Sequence, residues 1–285
     1  MENERNSMDS NLSDIDHYIQ MLSVSNSLRE PTLRAVIQAL QFPRGSQGLD
    51  AGCGIGLQTL LLAEAAGSAG HVTGLDVSPD FLICAEEIVK RSGLSEQISF
   101  QEGNVNELPF DDDTFDWVWS ADCVGYPAAE GRPLLQEMAR VVKPGGSVAI
   151  LAWSSQQLLP GYPLLEARLN ATASGYAPFF KNMKPERHFL RALGWFHEAG
   201  FEEVTARTFA GDVHAPLSDD IRRALVALFQ MLWGETPSGV SQEDCAEFQR
   251  LCQPESADFI LDLPDYYAFF TYSLFHGSVK PKRSR

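Results

Sequence analysis

From Gly48 to Trp153 the chain alternates short apolar runs with longer stretches in which apolar residues recur every three or four positions. The runs Gly48–Ala51, His71–Asp76, Ile98–Gln101, Asp116–Trp119 and Gly146–Trp153 have the length and composition of strands. Between them Leu57–Ala66, Pro79–Ser92 and Arg132–Val142 carry a helical period. Strands separated by helices of this length predict an α/β fold, a parallel sheet covered by helices on both faces. Lys143-Pro-Gly-Gly146 reads as a compact turn from helix to strand, since Pro stops a helix and Gly accepts unusual backbone angles.

The flanks follow other patterns. Residues 1–16 are polar and rich in Asn, Ser and Asp, which predicts a disordered start. A helix then places Tyr18, Met21 and Leu22 on one face, and a second spans Pro31–Leu40, so 17–42 is expected to contribute two helices to one domain over 17–285. Downstream the pattern predicts a helix over Glu186–Gly200 and a strand over Glu203–Val213. Helical segments at Ile221–Trp233 and Ser241–Cys252 sit inside a helical cap insertion over 216–264, and an aromatic-rich last strand covers Asp265–Gly277.

Composition narrows the classes. A chain of 285 residues buries a substantial core, and no stretch approaches the roughly 20 apolar residues that span a bilayer. The opening Met1-Glu-Asn-Glu-Arg-Asn lacks a signal peptide's basic start and apolar core, so the expected location is cytoplasmic, with no membrane insertion. Lys and Arg number 22 against 38 Asp and Glu, a formal charge of −16, which disfavours a charge-driven grip on nucleic acid. Five cysteines with no Cys-x-x-Cys pair argue against a disulfide framework or a zinc site, so no metal is expected.

The chemistry concentrates where strands end. Gly52, Gly54 and Gly56 follow the first strand, where a tight turn into a helix lets backbone approach a ligand. Their Gly-x-Gly-x-Gly spacing departs from the Gly-x-Gly-x-x-Gly of dinucleotide binding, which counts against an NAD-dependent oxidoreductase. The second strand ends in Asp76, 20 residues after Gly56, where a carboxylate can accept two bonds from ribose hydroxyls. The next ends at Gly103-Asn-Val105 and the fourth at Trp119-Ser-Ala-Asp122. Ligands in open α/β sheets bind outside the carboxyl ends of strands, so these four ends supply one crevice.

Asp50-Ala-Gly-Cys-Gly-Ile-Gly56, Val72-Thr-Gly-Leu-Asp-Val-Ser-Pro79, Gly103-Asn-Val-Asn-Glu-Leu-Pro-Phe110, Phe115-Asp-Trp-Val118 and Val142-Lys-Pro-Gly-Gly146 together resemble the class I S-adenosylmethionine-dependent methyltransferases. Within them the chain is similar to the group of ubiquinone and menaquinone biosynthesis methyltransferases. The resemblance implies a Rossmann-like, doubly wound seven-stranded sheet with the last strand antiparallel, S-adenosylmethionine as cofactor, and the helices of 17–42 as a lid. It implies that Asp50 and the backbone of Gly52, Cys53 and Gly54 hold the methionyl amine and carboxylate, and that Asp76 binds ribose. Val77 would pack on adenine, Asn104 would bond its amino group and the Val105 amide would face a ring nitrogen. The family often has Asp where this chain has Asn104. Ser120 would contact the methionyl part through its backbone, Gln58 and Thr59 would assist at the carboxylate, and Tyr18 and Arg29 would come from the lid.

Methyl transfer from a sulfonium calls mainly for positioning, with a base only where the acceptor arrives protonated. Strand polarity puts His71, His197 and His276 at the far end of the sheet and Asp122, Tyr126, His188, His214 and Tyr266 at the crevice end. Asp122, Tyr126 and His188 are the candidate bases. Tyr162, Tyr176, Phe179, Phe180, Phe229, Trp233, Tyr266, Tyr267 and Phe270 enrich the variable parts, as suits a pocket for a small, flat or lipophilic methyl acceptor. A non-catalytic adenosyl-binding protein would carry the same cofactor motifs.

Overall fold

The computed structural model describes residues 2–123, 131–172, 185–234 and 239–281. Two compact units share the chain. One comprises Met1–Pro31, Gln157–Ala177 and Asp212–Phe269, the other Thr32–Gln156, Pro178–Gly211 and Phe270–Arg285.

Seven strands form the sheet: β1 (Gln47–Ala51), β2 (His71–Asp76), β3 (Ile98–Glu102), β4 (Phe115–Ala121), β5 (Val142–Gln157), β6 (Glu202–His214) and β7 (Tyr267–Ser278), in the order β3-β2-β1-β4-β5-β7-β6. The first five are parallel, with Leu49 of β1 level with Thr73 of β2 and Val118 of β4. β7 runs antiparallel to β5: Gly145 N–H donates to Val279 O at 2.9 Å, Val279 N–H donates to Gly146 O at 2.8 Å, and at the other end the Ser154 and Thr271 hydroxyls meet at 2.9 Å. Strand order reverses beside β1, between β2 and β4, which opens a crevice at their carboxyl ends. The expected Rossmann-like α/β sheet of seven strands, with the last antiparallel, is the one found.

β1 is buried on both faces, as a central parallel strand must be. Its packing leaves no room at Gly48: a Cβ there would lie 2.1 Å from the Trp117 ring. That ring cannot retreat, because it stacks on Phe42 at 4.1 Å and its Nε1–H donates to Ser46 Oγ at 2.8 Å.

Helices α2 (Leu57–Ala66), α3 (Pro79–Ser92) and α4 (Gly131–Val141) connect the parallel strands. α3 follows the rules of helix ends: Ser78 Oγ accepts from Phe81 N at 3.4 Å, Pro79 opens the first turn, and Gly93 closes the helix at φ +78°.

Three segments differ from the sequence expectation. Lys143-Pro-Gly-Gly146 belongs to β5, because its backbone bonds to β7 continue the ladder past the helix end, and the cost is a register shift opposite Phe115 and Trp117. The 186–200 helix is broken into two 3₁₀ turns, Pro185–Arg187 and Phe189–Arg191, and a short α6 (Ala192–Glu198), since His188 between the turns adopts an extended backbone. The first helix, α1, is continuous over Glu2–Leu40, in place of two helices. Pro31 removes one backbone donor there without ending the helix, and Leu28, Leu33, Val36 and Ile37 around it are buried.

The helical unit holds α5 (Pro163–Thr172), α7 (Asp219–Trp233) and α8 (Gln242–Cys252). Together with Met1–Pro31 these helices fall in one unit, within which they bury an aromatic core. Phe229 stacks on Trp233 at 5.6 Å, Phe248 meets Trp233 edge-on, and Tyr266 O–H donates to Leu158 O at 3.0 Å. Glu166 is buried beside them and accepts from the Leu158 and Leu159 amides at 2.8 and 3.0 Å. Among the described residues no helix is long and apolar enough to cross a membrane.

Gly48→Ala should destabilise the protein by about 2 kcal/mol through overpacking against Trp117. Urea unfolding with an unchanged slope and a lower midpoint checks this; a midpoint equal to wild type contradicts the packing.

Candidate active site

The turn after β1 is built from backbone. Leu75 O of β2 accepts from both Gly52 N at 2.8 Å and Cys53 N at 2.9 Å, so the chain leaves β1 pinned to its neighbour. Gly52, Gly54 and Gly56 all take positive φ, at +82°, +53° and +77°, angles that side chains resist. A Cβ at Gly52 would also fall 2.8 Å from Cys123 Sγ, while at Gly54 it would meet nothing within 4 Å, so the loop is tight beneath and open above.

Two carboxylates flank this loop. Asp76, at the end of β2, accepts from Gly54 N at 2.8 Å through one oxygen and from Ser78 N at 3.0 Å through the other. Asp50, one residue before β1 ends, is 1% exposed and accepts from the Thr59 hydroxyl at 2.7 Å. Burial raises its pKa to about 7, against the hydrogen bond from Thr59, and the charge of Asp76 adds to the rise. Burial likewise pushes the Cys53 thiol up, and that of Cys123 up to about 12, so both remain neutral thiols and neither is a nucleophile.

α2 begins at Leu57 with no side-chain cap and no acidic residue in its first turn, unlike α3, α7 and α8, where Ser78, Ser218 and Ser241 cap. Its amino-terminal amides and partial positive charge are left facing the loop, an arrangement suited to a carboxylate.

Several side chains expected at the cofactor are committed within the protein. Thr59 is buried against Asp50, so its hydroxyl serves that carboxylate. Gln58 Oε1 accepts from Trp119 Nε1–H at 3.0 Å, and the Ser120 hydroxyl donates to Ala51 O at 2.7 Å, tying β4 to β1. Asn104 Oδ1 accepts from Asn106 N at 2.9 Å and Asn106 Nδ2 at 3.3 Å, and the Val105 side chain lies in the core. Val77, in contrast, is 61% exposed.

Of the candidate bases, Asp122 stands just past the end of β4 at φ +50° and accepts from Trp153 N at 2.8 Å and from the Tyr272 hydroxyl at 3.4 Å. His188 accepts from Leu190 N at 3.3 Å and stacks on Phe189 at 4.6 Å, and burial lowers its pKa. Tyr126 lies outside the described residues, as do Tyr176, Phe179 and Phe180. Tyr18 and Arg29 belong to the α1 portion of the other unit. Phe229, Trp233, Tyr266 and Phe270, expected to line an acceptor pocket, are buried, with aromatic or hydrogen-bond partners as core residues have.

Residues 49–146 match the family profile described as a methyltransferase domain. Over 214 residues the chain is 33% identical to the demethylmenaquinone methyltransferase of Bacillus subtilis, covering 70% of this chain and 90% of that protein. The chain belongs to the class I S-adenosylmethionine-dependent methyltransferases, in the menaquinone group. The Bacillus licheniformis demethylmenaquinone methyltransferase is 37% identical over 216 residues, covering 70% of this chain and 89% of its own. A solved S-adenosylmethionine-dependent methyltransferase from Aquifex aeolicus shares the fold at a TM-score of 0.50 and 22% identity, covering 66% of this chain and 89% of that one.

This methyltransferase therefore uses S-adenosylmethionine, and its crevice fits that molecule. An uncapped helix start suits the methionyl carboxylate, two carboxylates suit an ammonium and a ribose, and open space above Gly54 admits close backbone approach. Trp153 and Tyr272, which sequence reasoning did not place at the site, meet Asp122 here, with Phe270 stacked on Trp153; only the opposition of β5 and β7 brings them together.

Asp50 has its pKa raised from 3.8 to about 7 in the fold, so it holds its proton more tightly there than in the unfolded chain. Its contribution to stability is whole below the unfolded pKa and lost as pH rises through the folded one, at about 1.4 kcal/mol for each pH unit crossed between the two. Without cofactor, the wild type should lose stability relative to Asp50→Asn between about pH 4.5 and about pH 7.5. Urea unfolding of both at each pH checks this; a constant difference contradicts the buried carboxyl.

Proposed function

We propose that this methyltransferase transfers a methyl group to a small, flat, quinone-type ring, and that the four strand ends around Gly52–Gly56 hold its cofactor. The observation that carries the reading is the 33% identity sustained over 90% of a demethylmenaquinone methyltransferase.

Residue roles follow from the chemistry at each strand end. Asp50 would meet the methionyl ammonium, whose positive charge favours the ionised carboxylate. The first-turn amides of α2 would receive the methionyl carboxylate, while Gly52, Cys53 and Gly54, whose amides are spent on Leu75 O and Asp76, would turn carbonyl oxygens to the ammonium. Asp76 has acceptor capacity left after its bonds to Gly54 N and Ser78 N, and would take the ribose hydroxyls. Exposed Val77 would pack on adenine beside the Val105 amide. Asn104 would reach the adenine amino group by giving up its bond from Asn106 Nδ2. Ser120 would contribute only backbone, since its hydroxyl ties the sheet.

When bound, S-adenosylmethionine supplies an electrophilic methyl group on a sulfonium, so the protein's task is alignment and exclusion of water. Asp122 is the preferred base: its half-exposed carboxylate would accept the proton of a ring hydroxyl and leave electron density on the ring.

Incubation of the purified protein with S-adenosylmethionine and reduced 1,4-naphthoquinone tests the reading. The expected result is a product one methyl group heavier by mass spectrometry, abolished by omission of either component and reduced at least tenfold by Asp122→Asn. Methyl transfer to other acceptors but to no quinol would overturn the substrate class.

A further inference from the structure

β5 outlasts β4. Ala121, the last residue of β4, is level with Leu151, so Trp153 lies beyond the end of β4 on the same carboxyl side as Asp76 and the glycine loop. Its indole is held by contacts on one face, at one edge and at its N–H. One face stacks on Phe270 with ring centres 4.6 Å apart and planes 7° from parallel. Tyr272 meets it edge-on at 5.4 Å and 81°, Nε1–H donates to Gln156 Oε1 at 2.7 Å, and the backbone N–H donates to Asp122. Of the three rings, Phe270 and Tyr272 are buried at 1% and 0% exposure while Trp153 is half-exposed. Its one donor is already satisfied, so what it offers to a ligand is an aromatic surface of fixed orientation. Next to that surface lies the Asp122 carboxylate, placed by a left-handed backbone angle and by contacts to two members of the same cluster.

We infer that Trp153 is the platform on which a flat aromatic acceptor stacks, and that Tyr272 is a positioning residue that holds Asp122 at the platform's edge. This rests on the proposed quinone-type acceptor and adds the residues that select it. A planar two-ring system gains the most from such a surface, because stacking scales with overlap, whereas an aliphatic amine or alcohol gains little. Described donors to the Asp122 carboxylate are the Tyr272 hydroxyl from β7 and the Trp153 backbone N–H from β5, and the Cys123 thiol follows it in the chain. Loss of the Tyr272 hydroxyl removes a donor that favours the charged carboxylate, so Asp122 would ionise at higher pH.

Trp153→Phe, Trp153→Leu and Tyr272→Phe test the inference, each first shown to bind S-adenosylhomocysteine with wild-type affinity by calorimetry, so that a collapsed site is recognised. With reduced 1,4-naphthoquinone as acceptor, Trp153→Leu should raise KM about tenfold with kcat changed less, and Trp153→Phe should recover most of the loss. In a separate titration, oxidised 1,4-naphthoquinone should quench the fluorescence of the wild type more than that of Trp153→Phe, which lacks one of the five tryptophans. Tyr272→Phe should move the acid limb of the kcat/KM profile to higher pH. An unchanged KM in Trp153→Leu overturns the platform, and superimposable pH profiles overturn the role of Tyr272. A wild-type protein that binds flat phenols but no quinone overturns the proposed acceptor and leaves the platform supported; one that binds no flat ring overturns both.

Discussion

Everything at the carboxyl end of the sheet depends on how the chain leaves β1. One carbonyl, Leu75 O, takes two successive amide donors from Gly52 and Cys53, and one carboxylate, Asp76, takes the Gly54 amide. Three donors are thereby fixed to β2 within three residues, and the backbone that satisfies them passes through left-handed angles at Gly52 and Gly54. Side chains at these positions would cost conformational energy, and at Gly52 a clash with Cys123 as well. The loop is rigid because its donors are spent on the fold, and it admits a ligand because space above Gly54 is open.

The same region concentrates negative charge where water is scarce. Asp50 is buried, so it approaches neutral pH half-protonated, and its pKa is poised to fall when a cation arrives. The sulfonium cofactor carries positive charge at both its sulfur and its ammonium, so in the proposed placement the electrostatic cost of keeping Asp50 inside the fold would be offset on binding. The uncapped start of α2 a few residues away carries the opposite charge, which in the proposed placement would meet the methionyl carboxylate. Charge complementarity of this kind belongs to an amino-acid-bearing cofactor and has no counterpart in pyrophosphate binding, which agrees with the glycine spacing.

The fold was legible in the sequence wherever local pattern and tertiary demand coincide. β2 matches its expected bounds, His71–Asp76, because glycine before it and the Ser78-Pro79 helix start after it mark both ends. β5 was expected to begin at Gly146, yet its pairing with Val279 lies well over a hundred residues downstream and draws Lys143-Pro-Gly-Gly146 into the strand. Side-chain roles were harder to read than positions. Thr59 and Gln58 open α2 as expected, but their partners, Asp50 and Trp119, face them only in the folded sheet. Trp153 reads as one more apolar strand residue until Phe270 and Tyr272 come opposite it. The separate helical unit was hidden because the periodicity of α7 and α8 reports a buried face without saying what buries it.

The central claim is that the ends of β1 and β2 cradle an adenosyl sulfonium, with Asp76 as the group that both shapes the loop and binds the ligand. Calorimetric titration of the wild type and Asp76→Ala with S-adenosylhomocysteine tests it most directly. The account predicts saturable one-site binding, weakened by about 1–3 kcal/mol, roughly tenfold to a hundredfold, in the variant. Binding of equal strength to both proteins, or none to the wild type, contradicts it.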